Sequence, residues 1–226
     1  MKRNPVITPV RVMLLMAALL LVGVVLWTSL RPRWHDHRWI EAVEPPAGSS
    51  PMADLEKSNA ALKLCAKSTP SWLPERDAER TEMHKIVGGF LDFEELARRA
   101  LARHWDDINP KQRAEFVRVV GELLERSLSK QIQSQPDYDL RFTKETITGS
   151  EATVDATLEI SNEGKRTMVA MEYKLLYKGD RWLVYDVITE EQSMLEICRT
   201  EFDKIITNES FDALLNRMKE RLEKTE

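Results

Sequence analysis

Few residues in this chain have the types and spacing that chemistry needs. Asp186 is the most provocative, a carboxylate set between Tyr185 and Val187 in the apolar run RWLVYDVIT. Buried there, it could have a raised pKa and serve as a general base. The bland alternative is a hydrogen-bond acceptor for a nearby helix end or for backbone, which is the commoner role of a buried carboxylate. His35, Asp36 and His37 lie together in a Pro-rich stretch, but two imidazoles fall short of the three or four protein ligands of a zinc site. They read as solvated residues. Cys65 and Cys198 could form a disulfide in an oxidising compartment, or could equally be two small buried apolar residues. His84 and His104 lack spaced partners and read as surface or boundary residues. The chain contains no G-x-S-x-G elbow, no phosphate-binding P-loop and no H-E-x-x-H. No metal or cofactor is implied.

Charge and hydropathy narrow the class further. The 226 residues are 42% hydrophobic and 31% charged, as expected for one globular domain with appendages. Residues 1–40 hold six Lys/Arg and one acid, so the remainder carries 27 basic against 36 acidic residues. That acidic body argues against nucleic-acid binding. Residues 12–30, VMLLMAALLLVGVVLWTSL, are an uncharged run of 19, long enough to cross a hydrocarbon core. With Lys2, Arg3 and Arg11 before it, the run predicts a transmembrane signal-anchor with residues 1–11 cytoplasmic. A cleaved signal peptide is the rival reading. Residues 31–52 read as a linker of up to about 70 Å when extended, and residues 53–226 as the folded body.

The elements of the body run helices, sheet, helices. Helices are predicted over 53–67, 75–88 and 91–105, the last with Asp92 and Glu95 as a capping box. Asn109, Pro110 and Gln112 open a further helix with Phe116, Val120, Leu123, Leu124 and Leu128 on one face. Four strands follow at 138–147, 151–160, 167–177 and 182–189, separated by Gly-containing turns. Val154, Ala156, Leu158 and Ile160 form one face of the second strand. Val169, Met171, Tyr173, Leu175 and Tyr177 form one stripe of the third. The last strand is apolar on both sides, which predicts cover on each face. Plain alternation along it groups Leu183, Tyr185 and Val187 against Trp182, Val184 and Ile188. Two terminal helices close the chain, one capped by Ser193 with Glu196. The fold class is α+β, an antiparallel four-stranded curved sheet with an N-terminal helical layer and C-terminal helices, preceded by one transmembrane helix.

LDFEELARRALARHWDDINPKQRAEFVRVVGELLERS (91–127) and RWLVYDVITEEQSMLEICRTEFDKIITNESFDALLNRMKERL (181–222) resemble the MlaC, or toluene-tolerance, family of phospholipid-binding proteins. The shared pattern is A-x-x-x-L between Phe and Trp, then N-P-x-Q-R-x-x-F, W-x-x-Y-D-V, S-M and a closing D-x-L. The resemblance implies a nuclear transport factor-like sheet joined to a helical layer, with acyl tails held between them. It also implies a periplasmic carrier that moves phospholipid between an outer-membrane lipoprotein complex and an inner-membrane ABC lipid transporter. The chain departs from the family at one corner, where Glu190-Glu191-Gln192-Ser193 stands in place of Glu-Gly-Val/Ile-Ser.

A carrier needs apolar walls and no catalytic group. A diacyl lipid holds about 30 methylenes, each costing about 0.8 kcal/mol in water. The wall residues expected from the apolar stripes are Phe116, Val120, Leu124, Val169, Met171, Tyr173, Tyr185 and Val187. Two other classes are open: an inner-membrane-anchored scaffold with a filled core and no ligand, and a small-molecule enzyme built on Asp186.

Overall fold

The computed structural model describes residues 42–68, 76–134, 138–162 and 165–224. Four helices come first: α1 (Pro51–Ser68), α2 (Arg76–Phe90), α3 (Phe93–Leu101) and α4 (Pro110–Ser134). A meander follows, β1 (Asp139–Thr148), β2 (Glu151–Asn162), β3 (Lys165–Lys178), β4 (Arg181–Thr189) and β5 (Gln192–Ser193). Helices α5 (Met194–Asn208) and α6 (Phe211–Lys224) end the described chain. The sheet is antiparallel throughout, in the order β1-β2-β3-β4-β5.

The expected count of four strands is therefore corrected to five. Glu190 and Glu191 both adopt positive φ, 50° and 65°, as the two central residues of a mirror-image hairpin turn do. The chain reverses there, and Gln192 and Ser193 pair back onto Thr189 and Ile188 before α5 begins. Such turns usually advertise themselves as Asn-Gly or Asp-Gly. Glu-Glu carries no such signal, which is why the fifth strand was hidden. A side chain in left-handed backbone costs roughly 1–2 kcal/mol. Glu191→Gly is thus expected to stabilise the fold by about 1 kcal/mol, read as a rise in the urea midpoint; a fall would show that the Glu191 side chain makes an offsetting contact.

The expected transmembrane helix, residues 12–30, lies outside the described residues. Among those described, no helix is long and apolar enough to cross a membrane. The segment expected as linker is tied down at its end. The Val43 amide donates to the Tyr177 carbonyl at 3.2 Å, and Ala42 bridges Lys178. The Trp182 indole N–H donates to Ser49 Oγ at 2.8 Å. Glu145 Oε2 on β1 accepts from the Ser50 hydroxyl and the Met52 amide.

Of the two expected capping boxes, the one at Asn109 forms in full and the one at Asp92 only by its N-cap half, because the Asp92 amide donates to the Val184 carbonyl and the Glu95 carboxylate is taken by Arg98 and Arg99. Asp92 accepts from the Glu95 amide at 3.0 Å, and Asn109 and Gln112 bond each other reciprocally. The helix expected over 91–105 is interrupted, because Ala102 turns to φ 47° after α3 and residues 102–105 continue as a 3-10 turn. Three apolar cores result. One joins α3, α4, α5 and α6 around Phe116. A second lies between α1 and one face of the sheet, around Val154, Leu175 and Trp182. A third packs α1, α2 and the far half of α4. Cys65 borders the third core and Cys198 the first, and the two are not joined by a disulfide. Burial pushes the Cys198 thiol up to about 12, so it behaves as a small apolar residue.

Candidate functional site: the half-filled inner face of the sheet

Register assigns the inner face. Leu140, Leu158 and Val169 are cross-strand neighbours, as are Phe142, Ala156 and Met171. Val154, Tyr173 and Val187 form the next row, then Ala152, Leu175 and Val184. The last row pairs Tyr177 with Trp182. Partners directly opposite share a face, so these side chains form one continuous apolar surface across four strands.

Cover over that surface is uneven. At the Trp182 end, Ala152, Val154, Leu175, Tyr177 and Val184 are all buried beneath Leu55 of α1. Towards the other end, Leu140, Phe142, Leu158, Ile160, Met171, Tyr173 and Val187 are only half-buried, around the buried Ala156 and Val169. One sheet face thus passes from packed core to partly open apolar wall within a few residues. Large apolar side chains concentrated in a partly open cleft are the usual lining of a ligand site.

The eight expected wall residues separate into two groups. Val169, Met171, Tyr173 and Val187 share this inner face. Phe116, Val120, Leu124 and Tyr185 belong to the helical core instead. Phe116 packs edge-on to Phe202 and tilted to Phe211, both at 5.7 Å between ring centres, and is fully enclosed. Tyr185 leaves its expected neighbours because β4 carries a bulge. Lys174 pairs with Asp186 and Leu175 with Val184, so Tyr185 is the extra residue. The bulge shifts the alternation by one and places Val187 on the face of Val184 and Trp182. Tyr185 turns to the helices, where the Arg99 guanidinium lies 4.0 Å over its ring. Sequence reading missed Leu140 and Phe142 as members of the wall. Their strand alternates weakly, and only pairing with β2 shows the face they share.

The carboxylates around the sheet serve the fold. Asp186 Oδ1 accepts from the Leu195 amide at 2.9 Å, and Oδ2 from the Ser193 hydroxyl at 2.7 Å. Both oxygens are thus spent on the start of α5, the capping role rather than a general base. Ala in place of Asp186 strands a buried amide and is expected to cost about 2–3 kcal/mol, while Asn, which keeps one acceptor, costs less. Urea unfolding separates the two; equal losses would mean the charge rather than the acceptor matters. Glu95 is buried, which would raise its pKa, yet hydrogen bonds from Arg98 and Arg99 hold it down at about 2. Arg99 also reaches Glu151 at 2.7 Å, tying α3 to the start of β2. His104, expected to lack a partner, meets Asp203 at 2.8 Å. Among the described residues there is no group of His, Cys, Asp and Glu able to hold a metal.

Residues 58–220 match the family model described as MlaC protein. That span takes in most of the first helix, the whole sheet and the greater part of α6. The chain belongs to the MlaC family. One relative, the intermembrane phospholipid transport system binding protein MlaC of Haemophilus influenzae, is 20% identical over 156 residues, 68% of this chain and 70% of its own. A solved structure of a phospholipid-binding protein from Ralstonia solanacearum, in complex with a phospholipid, superposes with a TM-score of 0.65. It is 17% identical and covers 78% of this chain and 99% of that one. At that identity the likeness is one of fold. In this member of the MlaC family the corner before α5 is left-handed at both Glu190 and Glu191.

Proposed function

We propose that this MlaC-family chain binds phospholipid by its acyl chains and passively carries or presents it between membranes of the cell envelope. The observation that carries the reading is the change in cover along one sheet face. Val154, Leu175 and Trp182 are closed by α1, whereas Leu158, Met171 and Val187 on the same face remain half-open. Acyl chains laid on that open half would complete the core, and burial at about 25 cal/mol per Å² supplies the affinity. Family membership supports it, as do the phospholipid transport name of the Haemophilus relative and the ligand of the Ralstonia structure.

The periplasm is the compartment this role requires. The partners it needs are an inner-membrane ABC lipid transporter and an outer-membrane lipoprotein complex that hand lipid on or receive it. Binding by tail burial alone calls for no bond making or breaking at the lipid. Protein purified from a membrane-containing host is expected to release about one phospholipid per chain into organic solvent, by mass spectrometry. An empty protein that also fails to take lipid from vesicles would overturn the reading.

A further inference from the structure

Polarity changes in the same direction along helix α1 and along the sheet face beside it. Helix α1 runs antiparallel to β1, with the Met52 amide on Glu145 at one end and Lys63 Nζ 3.7 Å from Asp139 at the other. At helical spacing its sheet-side stripe reads Met52, Leu55, Asn59 and Lys63. Met52 and Leu55 pack in the second core. Asn59 accepts from the Tyr138 hydroxyl at 2.9 Å, and Lys63 Nζ lies 5.0 Å over the Tyr138 ring. The inner face of the sheet follows the same order. The row of Ala152, Leu175 and Val184 is buried, and the row of Val154, Tyr173 and Val187 adjoins it. The row of Leu140, Leu158 and Val169 is the last before Tyr138 and Asp139. The cleft is thus closed and apolar at one end, polar and cationic at the other.

Lys63 supplies the charge of that polar end. Its side chain is 29% exposed and, among the described residues, its one carboxylate partner is Asp139. That partner is shared with a closer cation, because Arg141 holds Asp139 Oδ2 through Nη2 at 2.7 Å and Nε at 2.8 Å. Arg141 and Arg166 stand on the opposite face of the sheet, where Arg166 meets Glu159 at 3.4 Å. A half-buried ammonium with so loose a partner is suited to an anion. A diacyl phospholipid has the matching order of parts, apolar at its chain ends and anionic at its phosphate. Any deeper position would strip that phosphate of water without pairing it. We infer that bound phospholipid lies with its chain ends towards Tyr173 and Val187 and its phosphate on Lys63 Nζ, so that Lys63 favours phospholipid over uncharged diacyl lipid. The inference rests on the lipid-binding reading above.

Two measurements on the full chain test it. In the first, the unaltered protein takes phosphatidylglycerol carrying a photoreactive diazirine at the end of one acyl chain, and adducts are mapped by mass spectrometry after illumination. Adducts on Tyr173, Val187 and the rows beside them are expected; adducts concentrated on Tyr138, Asp139 and the end of α1 overturn the orientation. In the second, vesicles of equimolar dioleoyl phosphatidylglycerol and dioleoylglycerol are offered, and the ratio of the two in the extracted lipid is read. Lys63→Gln should lower that ratio about threefold to tenfold, the range for a partly exposed ion pair. Lys63→Arg, which keeps the charge, should preserve it. An unchanged ratio in Lys63→Gln overturns the phosphate assignment, as does an equal fall in Lys63→Arg. A ratio that millimolar inorganic phosphate lowers to the Lys63→Gln value assigns Lys63 to a free anion and overturns the lipid assignment. Uptake of no lipid in either measurement overturns the lipid-binding reading itself, a result distinct from the others.

Discussion

Leu158→Glu is expected to cut lipid occupancy at least about tenfold while the fold survives. Leu158 lies on β2 between Leu140 and Val169, where the inner face is half-buried. In the empty protein a glutamate there can still reach water, so stability should change by about 1 kcal/mol or less. With an acyl chain laid against it, the same carboxylate loses water and gains no partner, and that penalty falls on the lipid-bound state alone. Each 1.4 kcal/mol of it is a factor of ten in affinity. Lipid phosphorus per chain after organic extraction measures the first effect and thermal melting the second. A fully loaded Leu158→Glu protein would move the site away from this face. Val120→Glu is the contrast: Val120 is 4% exposed in the helical core, so the same change there should unfold the protein.

Asp92→Ala is expected to destabilise the protein by about 3 kcal/mol. Asp92 joins three parts of the structure. Its Oδ1 accepts from the Glu95 amide and caps α3. Its own amide donates to the Val184 carbonyl of β4 at 2.7 Å. Its Oδ2 lies 2.8 Å from Lys178 Nζ at the end of β3, with both side chains at least nine-tenths buried. Removing the carboxylate strands a buried ammonium, the costly way to break such a pair. The figure sits at the low end because Glu94 lies close enough to feel the Lys178 charge. Adding Lys178→Met to Asp92→Ala should restore most of the loss, since no unpaired charge remains. Equilibrium urea unfolding of the single and double variants measures both. A double variant no more stable than Asp92→Ala alone would show that the lost cap, and not the buried charge, sets the cost.

These two residues mark how far the sequence could be read. Asp92 announces a helix start from its place in the sequence alone, because an N-cap is a local arrangement. The stripe Val169 to Tyr177 was equally legible, since alternation with period two needs no knowledge of the partner strand. The pairing of Asp92 with Lys178, far apart in the chain, leaves no trace in either segment. Tyr185 shows the opposite failure. Its segment reads as a regular strand, and one bulge reverses the face on which every later residue lies. Glu190-Glu191 hid a hairpin because the residues that adopt left-handed backbone there are not those that favour it.

The sequence by itself determined the order of the elements, the apolar stripes, the helix caps and, through its two separated motifs, the family. All of these depend on residues near one another in the chain. Tertiary structure alone decided which apolar residues are core and which are wall. Phe116, Val120 and Tyr185 are buried in the helical core with Leu124 half-buried against it, while Val169, Met171, Tyr173 and Val187 share the inner face of the sheet. An apolar side chain is the same chemical signal in either setting. What separates them is which layer the side chain faces, and that is a property of the assembled elements.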